Sequence, residues 1–228
     1  MIKAIVTDIE GTTTALTFVQ EVLFPYARAH LADYVQQHST SNEIKYILAE
    51  VSAELQRELT IDECITQLLI WSDEDKKITP LKALQGLIWE DGYRRGAFTG
   101  HIYPDVLPKL REWHAQGIAL YVYSSGSVHA QKLLFGHTSE GDLTGLFDGF
   151  FDTRIGAKRE AAAYARIAEQ INVSPAEILF LSDIREELDA AQAVGYQTLW
   201  LCREGELSQN AAHQQVADFD AIKFLDRC

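Results

Sequence analysis

Two rhythms of apolar and polar positions divide the chain. Residues 3–7, 118–123, 149–151, 178–181 and 198–202 are short, nearly unbroken runs of Val, Ile, Leu and aromatic residues. Runs of this length lying between helical patterns are those of strands buried on both faces of a parallel sheet. Each gap between them is long enough for a crossover helix.

Residues 17–98 follow the other rhythm and contain no strand pattern. Asn42 is expected to cap a helix reaching about Leu59, with Ile44, Ile47, Leu48, Val51 and Leu55 on one face. Thr60-Ile61-Asp62-Glu63 has the spacing of a capping box, and Ile65, Leu68 and Leu69 continue that helix. Thr79-Pro80 reads as N-cap and N1 of a further helix. Pro25 should start or break a helix within residues 18–37. Gly100-His101-Ile102-Tyr103-Pro104 marks the return to the sheet. The pattern predicts an α/β core, residues 1–16 and 100–228, interrupted by a helical insert of residues 17–99.

Composition narrows the function. With 228 residues, 47% of them apolar and 23% charged, the chain has ordinary globular composition. Its 20 basic and 33 acidic residues give a net charge of −13. That balance argues against nucleic acid or an anionic membrane surface as partner. No apolar run approaches the roughly 20 residues of a membrane span, and the N-terminus lacks signal-peptide character. Cys64, Cys202 and Cys228 are far apart, with no CxxC, which points to a reducing compartment. A cytoplasmic protein is the expectation, and monomer is the default. A phosphate substrate would need a metal or a placed cation to overcome the field of so acidic a chain.

Four strand-end elements carry candidate chemistry. The first strand stops at Asp8, followed by Ile9-Glu10-Gly11-Thr12. A carboxylate there lies at the ligand-binding end of an open sheet and is a potential nucleophile. Glu10, two residues on, is placed to give a proton to a leaving oxygen and then take one from water. The strand at 118–123 runs into Ser124-Ser125-Gly126-Ser127, whose hydroxyls and amides at a helix start suit an anion. Lys158 sits near a helix start, where a cation opposes the helix dipole unless it has another use. The strand at 178–181 leads into Ser182-Asp183, with Glu187 four residues later. Asp183 can join Asp8 around one hard cation, and Glu187 can hold a metal-bound water or position Lys158. Singly, each has a plain alternative: an acidic turn, an N-cap cluster, a surface lysine, a helix-face charge.

In this order and at these boundaries the elements resemble the haloacid-dehalogenase superfamily of phosphotransferases. The resemblance implies a Rossmann-like parallel-sheet core with an inserted α-helical cap, and Mg²⁺ as cofactor. It implies Asp8 as nucleophile and metal ligand, Glu10 as a metal ligand through its carbonyl, and Asp183 completing the metal site. Ser124 would bind the phosphoryl group, with Ser125 as a second substrate contact, and Lys158 would neutralise it. Glu10 stands where Asp is usual. With Leu23-Phe24-Pro25-Tyr26-Ala27 and Lys132-Leu133-Leu134-Phe135-Gly136, it resembles one branch, which acts on a small phosphorylated diketone and couples enolisation to ester hydrolysis. Phe18, Phe24, Tyr26, Trp71 and Trp89 of the insert read first as packing residues, and His101 and His129 as helix-surface or packed histidines. The alternatives are a related Mg²⁺ phosphatase without enolisation and a phosphorylated signalling domain; the insert speaks against the latter.

Overall fold

The computed structural model describes residues 1–208 and 210–223, so Cys228 lies outside the described residues. Five of the strands coincide with the apolar runs to within a residue at each end: β1 (Ala4–Thr7), β2 (Ala119–Tyr123), β3 (Gly149–Phe151), β4 (Ile178–Ser182) and β5 (Gln197–Leu201). β6 (Gln215–Val216) is added at one edge. All neighbours are parallel, in the order β3-β2-β1-β4-β5-β6. β1 and β4 are buried along their whole length, as the unbroken apolar runs require. One packed cluster joins Val6, Tyr123, Tyr164, Ile167, Phe180 and Leu188.

The chain divides into two compact units, Met1–Leu16 with Thr99–Cys228, and Thr17–Phe98. The first holds the sheet with helices α6 (Val106–Ala115), α7 (Val128–Gly136), α8 (Ala161–Ile171) and α9 (Arg185–Ala193). The second is helical among its described residues. It opens with the short α1 (Leu16–Phe18) and a π-helical turn (Val19–Leu23), then α2 (Phe24–His38), α3 (Asn42–Glu54), α4 (Ile61–Asp73) and α5 (Thr79–Arg94). Its core gathers Leu31, Val35, Ile47, Val51, Leu68, Trp71 and Leu84.

Three local readings of the sequence need correction. Ser41, not Asn42, caps α3: it is extended (ψ 146°) and its hydroxyl accepts the Ile44 N–H at 3.2 Å. α3 stops at Glu54 rather than near Leu59, because Gln56 turns left-handed at φ 53°. Ile78 is the N-cap of α5, and Thr79 is already helical. The Thr60–Glu63 capping box is present with both reciprocal bonds, and Pro25 sits in the first turn of α2, where its missing N–H costs nothing.

Candidate active site

β1 and β4 lie side by side where the strand order reverses, which in open parallel sheets is where ligands bind, beyond the carboxyl ends. Asp8 follows β1 directly. Its N–H continues the ladder to Leu181 O at 2.9 Å, and its side chain is buried. The chain then folds back tightly. The Ile9 carbonyl accepts the N–H groups of Thr12, Thr13 and Thr14 at 3.2, 2.9 and 2.9 Å, and Gly11 N–H reaches Thr14 O at 2.8 Å. Gly11 is left-handed (φ 71°), and a Cβ there would lie 2.1 Å from Asp183 Oδ2. Glycine is therefore required both for the turn and for the approach to Asp183.

Lys158 is buried and bridges two carboxylates, with Nζ 2.6 Å from Asp8 Oδ1 and 2.6 Å from Glu187 Oε2. It precedes α8 by three residues instead of opening it, so the dipole argument does not apply. What fixes its place is hydrogen bonding. Tyr164 O–H donates to the Lys158 carbonyl at 2.7 Å, and Tyr123 O–H to the Gly156 carbonyl at 2.9 Å. Glu187, from the first turn of α9, also accepts the Ser182 hydroxyl at 3.0 Å, while Ser182 Oγ accepts the Ile184 N–H at 3.1 Å. Burial pulls the Lys158 pKa down, but Asp8 and Glu187 outweigh it and the net shift is upward. Burial, then repulsion from Asp8, pushes Glu187 up against the pull of Lys158 and Ser182. One ammonium thus faces two buried carboxylates, and the lysine stays charged between them.

Asp183 carries the clearest sign of a missing partner. Its Oδ1 is buried and accepts no hydrogen bond from the described residues. Burial and the nearby Asp8 charge push its pKa up to about 6, against the pull of Lys158. Its carbonyl is fixed by Trp200 Nε1–H at 2.9 Å. Asp8, Asp183 and Glu187 thus share one ammonium in a low-dielectric setting, an arrangement that invites a cation. No cage of three or more His, Cys, Asp or Glu side chains forms among the described residues. Two carboxylates supplemented by main-chain and substrate oxygens and water are nevertheless what a Mg²⁺ ion accepts, so the oxygen-only donor set fits a small hard cation.

The remaining candidates are distributed around this centre. Glu10 is half-buried, pairs with Thr14 through the loop backbone, and acts electrostatically on Asp183. Ser124 is buried just past β2, its N–H on Phe151 O at 3.1 Å and its Oγ accepting Gly126 N–H at 3.1 Å. By the parallel register it leaves the sheet at the same end as Asp8. Ser125 is exposed beside it. The structure thus joins Asp8, Lys158 and Glu187 by direct contact and sets Asp183 against the loop at Gly11. Ser124 and Ser125 belong to the same rim. His101 packs as expected and serves the loop: Nδ1 accepts the Ala15 N–H at 3.1 Å, and burial together with Arg203 holds its pKa down.

The model of haloacid dehalogenase-like hydrolases matches residues 2–195. The chain is 59% identical over 224 residues to Enolase-phosphatase E1 of Methylococcus capsulatus, covering 98% of both chains. It is 57% identical to the protein of that name from an Enterobacter species, covering 97% of both. The chain belongs to the enolase-phosphatase family. Among solved structures, yeast UTR4 protein superposes with a TM-score of 0.82 at 31% identity, over 97% of this chain and all of that one. A HAD phosphatase of Thermococcus onnurineus, at 20% identity and a TM-score of 0.58, shares the fold. For an enolase-phosphatase the sequence reading left out Ser182, Tyr123 and Tyr164. Each looks like an ordinary strand or helix residue, and its bond, to Glu187, to the Gly156 carbonyl or to the Lys158 carbonyl, appears only once the sheet is assembled.

Proposed function

We propose that this enzyme converts 2,3-diketo-5-methylthiopentyl 1-phosphate to 1,2-dihydroxy-3-keto-5-methylthiopentene and phosphate, a step of methionine salvage, by enolisation followed by ester hydrolysis. The observation that carries the reading is the buried Asp8 carboxylate at the switch point of the sheet, paired with Lys158 and close enough to Asp183 to act on its charge. The names of the close relatives supply the enolase half.

Asp8 and Asp183, with the Glu10 carbonyl, would hold Mg²⁺. When bound, the ion neutralises phosphoryl charge and polarises the neighbouring oxygens. In the first step Glu10 accepts the proton from the carbon bearing the phosphate ester, the C–H electron pair becomes the new C=C bond, and the adjacent carbonyl oxygen takes a proton from solvent water to give the enol. In the second, an Asp8 oxygen forms a bond to phosphorus as the ester P–O bond breaks, and Glu10 returns its proton to the departing oxygen. Glu10 then takes a proton from water as that water attacks phosphorus and the P–O bond to Asp8 breaks, and Glu10 releases this proton to solvent. Phosphate leaves and Asp8 is restored. Lys158 balances the charge of the phosphoryl oxygens throughout, with Glu187 and the Tyr164 hydroxyl fixing its place, and Ser124 and Ser125 contribute hydroxyls and amides to the same group. The helical unit is assigned to substrate selection. The protein is taken to work as a cytoplasmic monomer.

Purified protein given the diketone phosphate and Mg²⁺ should produce an ultraviolet-absorbing enediol together with phosphate. Phosphate without the absorbing species would instead mark a phosphatase for another small phosphate metabolite.

A further inference from the structure

Arg203 belongs to none of the four motifs, yet it reaches into the loop that carries the first of them. Its side chain and that of Asp105 are 9% and 12% exposed. Nε and Nη2 both donate to the Thr12 carbonyl, at 3.0 and 2.6 Å, across a sequence separation of 191 residues. Nη1 donates to Asp105 Oδ2 at 2.7 Å, and that oxygen also accepts the Phe219 N–H at 2.8 Å. The guanidinium lies 4.2 Å from the centre of the Tyr103 ring and 5.3 Å from that of Phe219. Burying a guanidinium is costly unless its charge and donors are satisfied. Here the acid and the two rings meet that cost, and a pair of donors converges on one main-chain carbonyl.

The target is informative. Thr12 follows Glu10 by two residues and Asp8 by four, and its hydroxyl is buried without a partner among the described residues, so its carbonyl is the handle. The next residues are gripped by the 101–103 segment: Tyr103 N–H to Thr13 O at 3.0 Å and Thr14 Oγ–H to His101 O at 2.8 Å. We propose that Arg203 is a positioning residue of the reaction, holding the Thr12 peptide and thereby the placement of Glu10 relative to Asp8. Only a planar fork makes both bonds to one carbonyl, so lysine is an incomplete replacement.

This inference rests on the function proposed above, and its test separates the two. Arg203→Met and Arg203→Lys are compared with the wild-type chain by steady-state phosphate release from the diketone phosphate and by amide exchange across residues 9–14. Arg203→Met should lower kcat about 10–100-fold with KM little changed, and should speed exchange in the loop while β4 stays protected. Arg203→Lys should recover part of both. If Arg203→Met does not fold, the lysine variant must show the same changes in smaller measure. A variant with unchanged kcat and unchanged loop exchange, whatever its melting temperature, overturns the inference. Absence of turnover in the wild type would overturn the functional reading instead, and loop exchange would still decide the role of Arg203.

Discussion

The helical unit and the sheet unit use charge in opposite ways. In the helical unit every ion pair among the described residues keeps a well-exposed partner: in Arg28 with Asp73, Arg57 with Glu63 and Lys77 with Asp75 both sides are about half exposed or more, and Arg94 and Arg95 are exposed opposite Glu90 and Asp91. Such pairs contribute little, because water solvates both partners separately or together. That unit is held by its apolar core. At the end of β1 the side chains of Lys158, Asp8 and Glu187 are 8%, 7% and 10% exposed. There an unpaired charge has no water to fall back on, so each partner constrains the others. The contrast shows where the fold keeps its electrostatic strain: at the centre of the sheet, around the group assigned as nucleophile.

The largest effect should come from Asp8→Asn. Phosphate release should be abolished while slow enolisation persists, followed by separate phosphate and ultraviolet assays. Lys158→Met comes next. It leaves Asp8 and Glu187 facing each other unneutralised, so turnover should fall to near background and the fold should lose about 3–5 kcal/mol in denaturant titrations. In the helical unit Leu31→Ala should cost about 2–5 kcal/mol, because Leu31 is fully buried, yet leave kcat per folded molecule unchanged. A large loss of kcat there would blur the division between the two units.

The smallest effect concerns the cap of α4. Thr60→Ala should cost about 1 kcal/mol at neutral pH. Hydrogen bonds from the Thr60 N–H and O–H, at 2.8 and 3.0 Å, hold the Glu63 carboxyl below its usual range. A depressed carboxyl pKa contributes stability above its unfolded value, about 4.3, and loses it as pH falls through the folded value. The gap between Thr60→Ala and wild type should therefore narrow in acid. A gap constant down to pH 3 would remove Glu63 from the account.

The parts of this architecture that are local in sequence were legible there. The burial of Asp8 and the position of Asp183 just past β4 follow from carboxylates that end apolar runs, though each run alone also allows an acidic turn. The Thr60–Glu63 box is legible because both partners lie within one turn. β6 was not, since two residues, Gln215 and Val216, carry no period. The shift from Asn42 to Ser41 at the cap of α3 rests on backbone angles, as either side chain can cap. Arg203 and Tyr164 were opaque for a different reason. Their work is done on the carbonyls of Thr12 and Lys158, and nothing in the residues around Arg203 names a partner 191 positions away.

The central claim is that Asp8 itself receives the phosphoryl group. Rapid mixing of enzyme, Mg²⁺ and phosphorus-labelled substrate, followed by acid quench and peptide mapping, tests it directly. Label should appear on the peptide containing Asp8 during turnover, and none on that peptide from Asp8→Asn. Full phosphate release with no label on Asp8 at any quench time, or label on another residue, would contradict it.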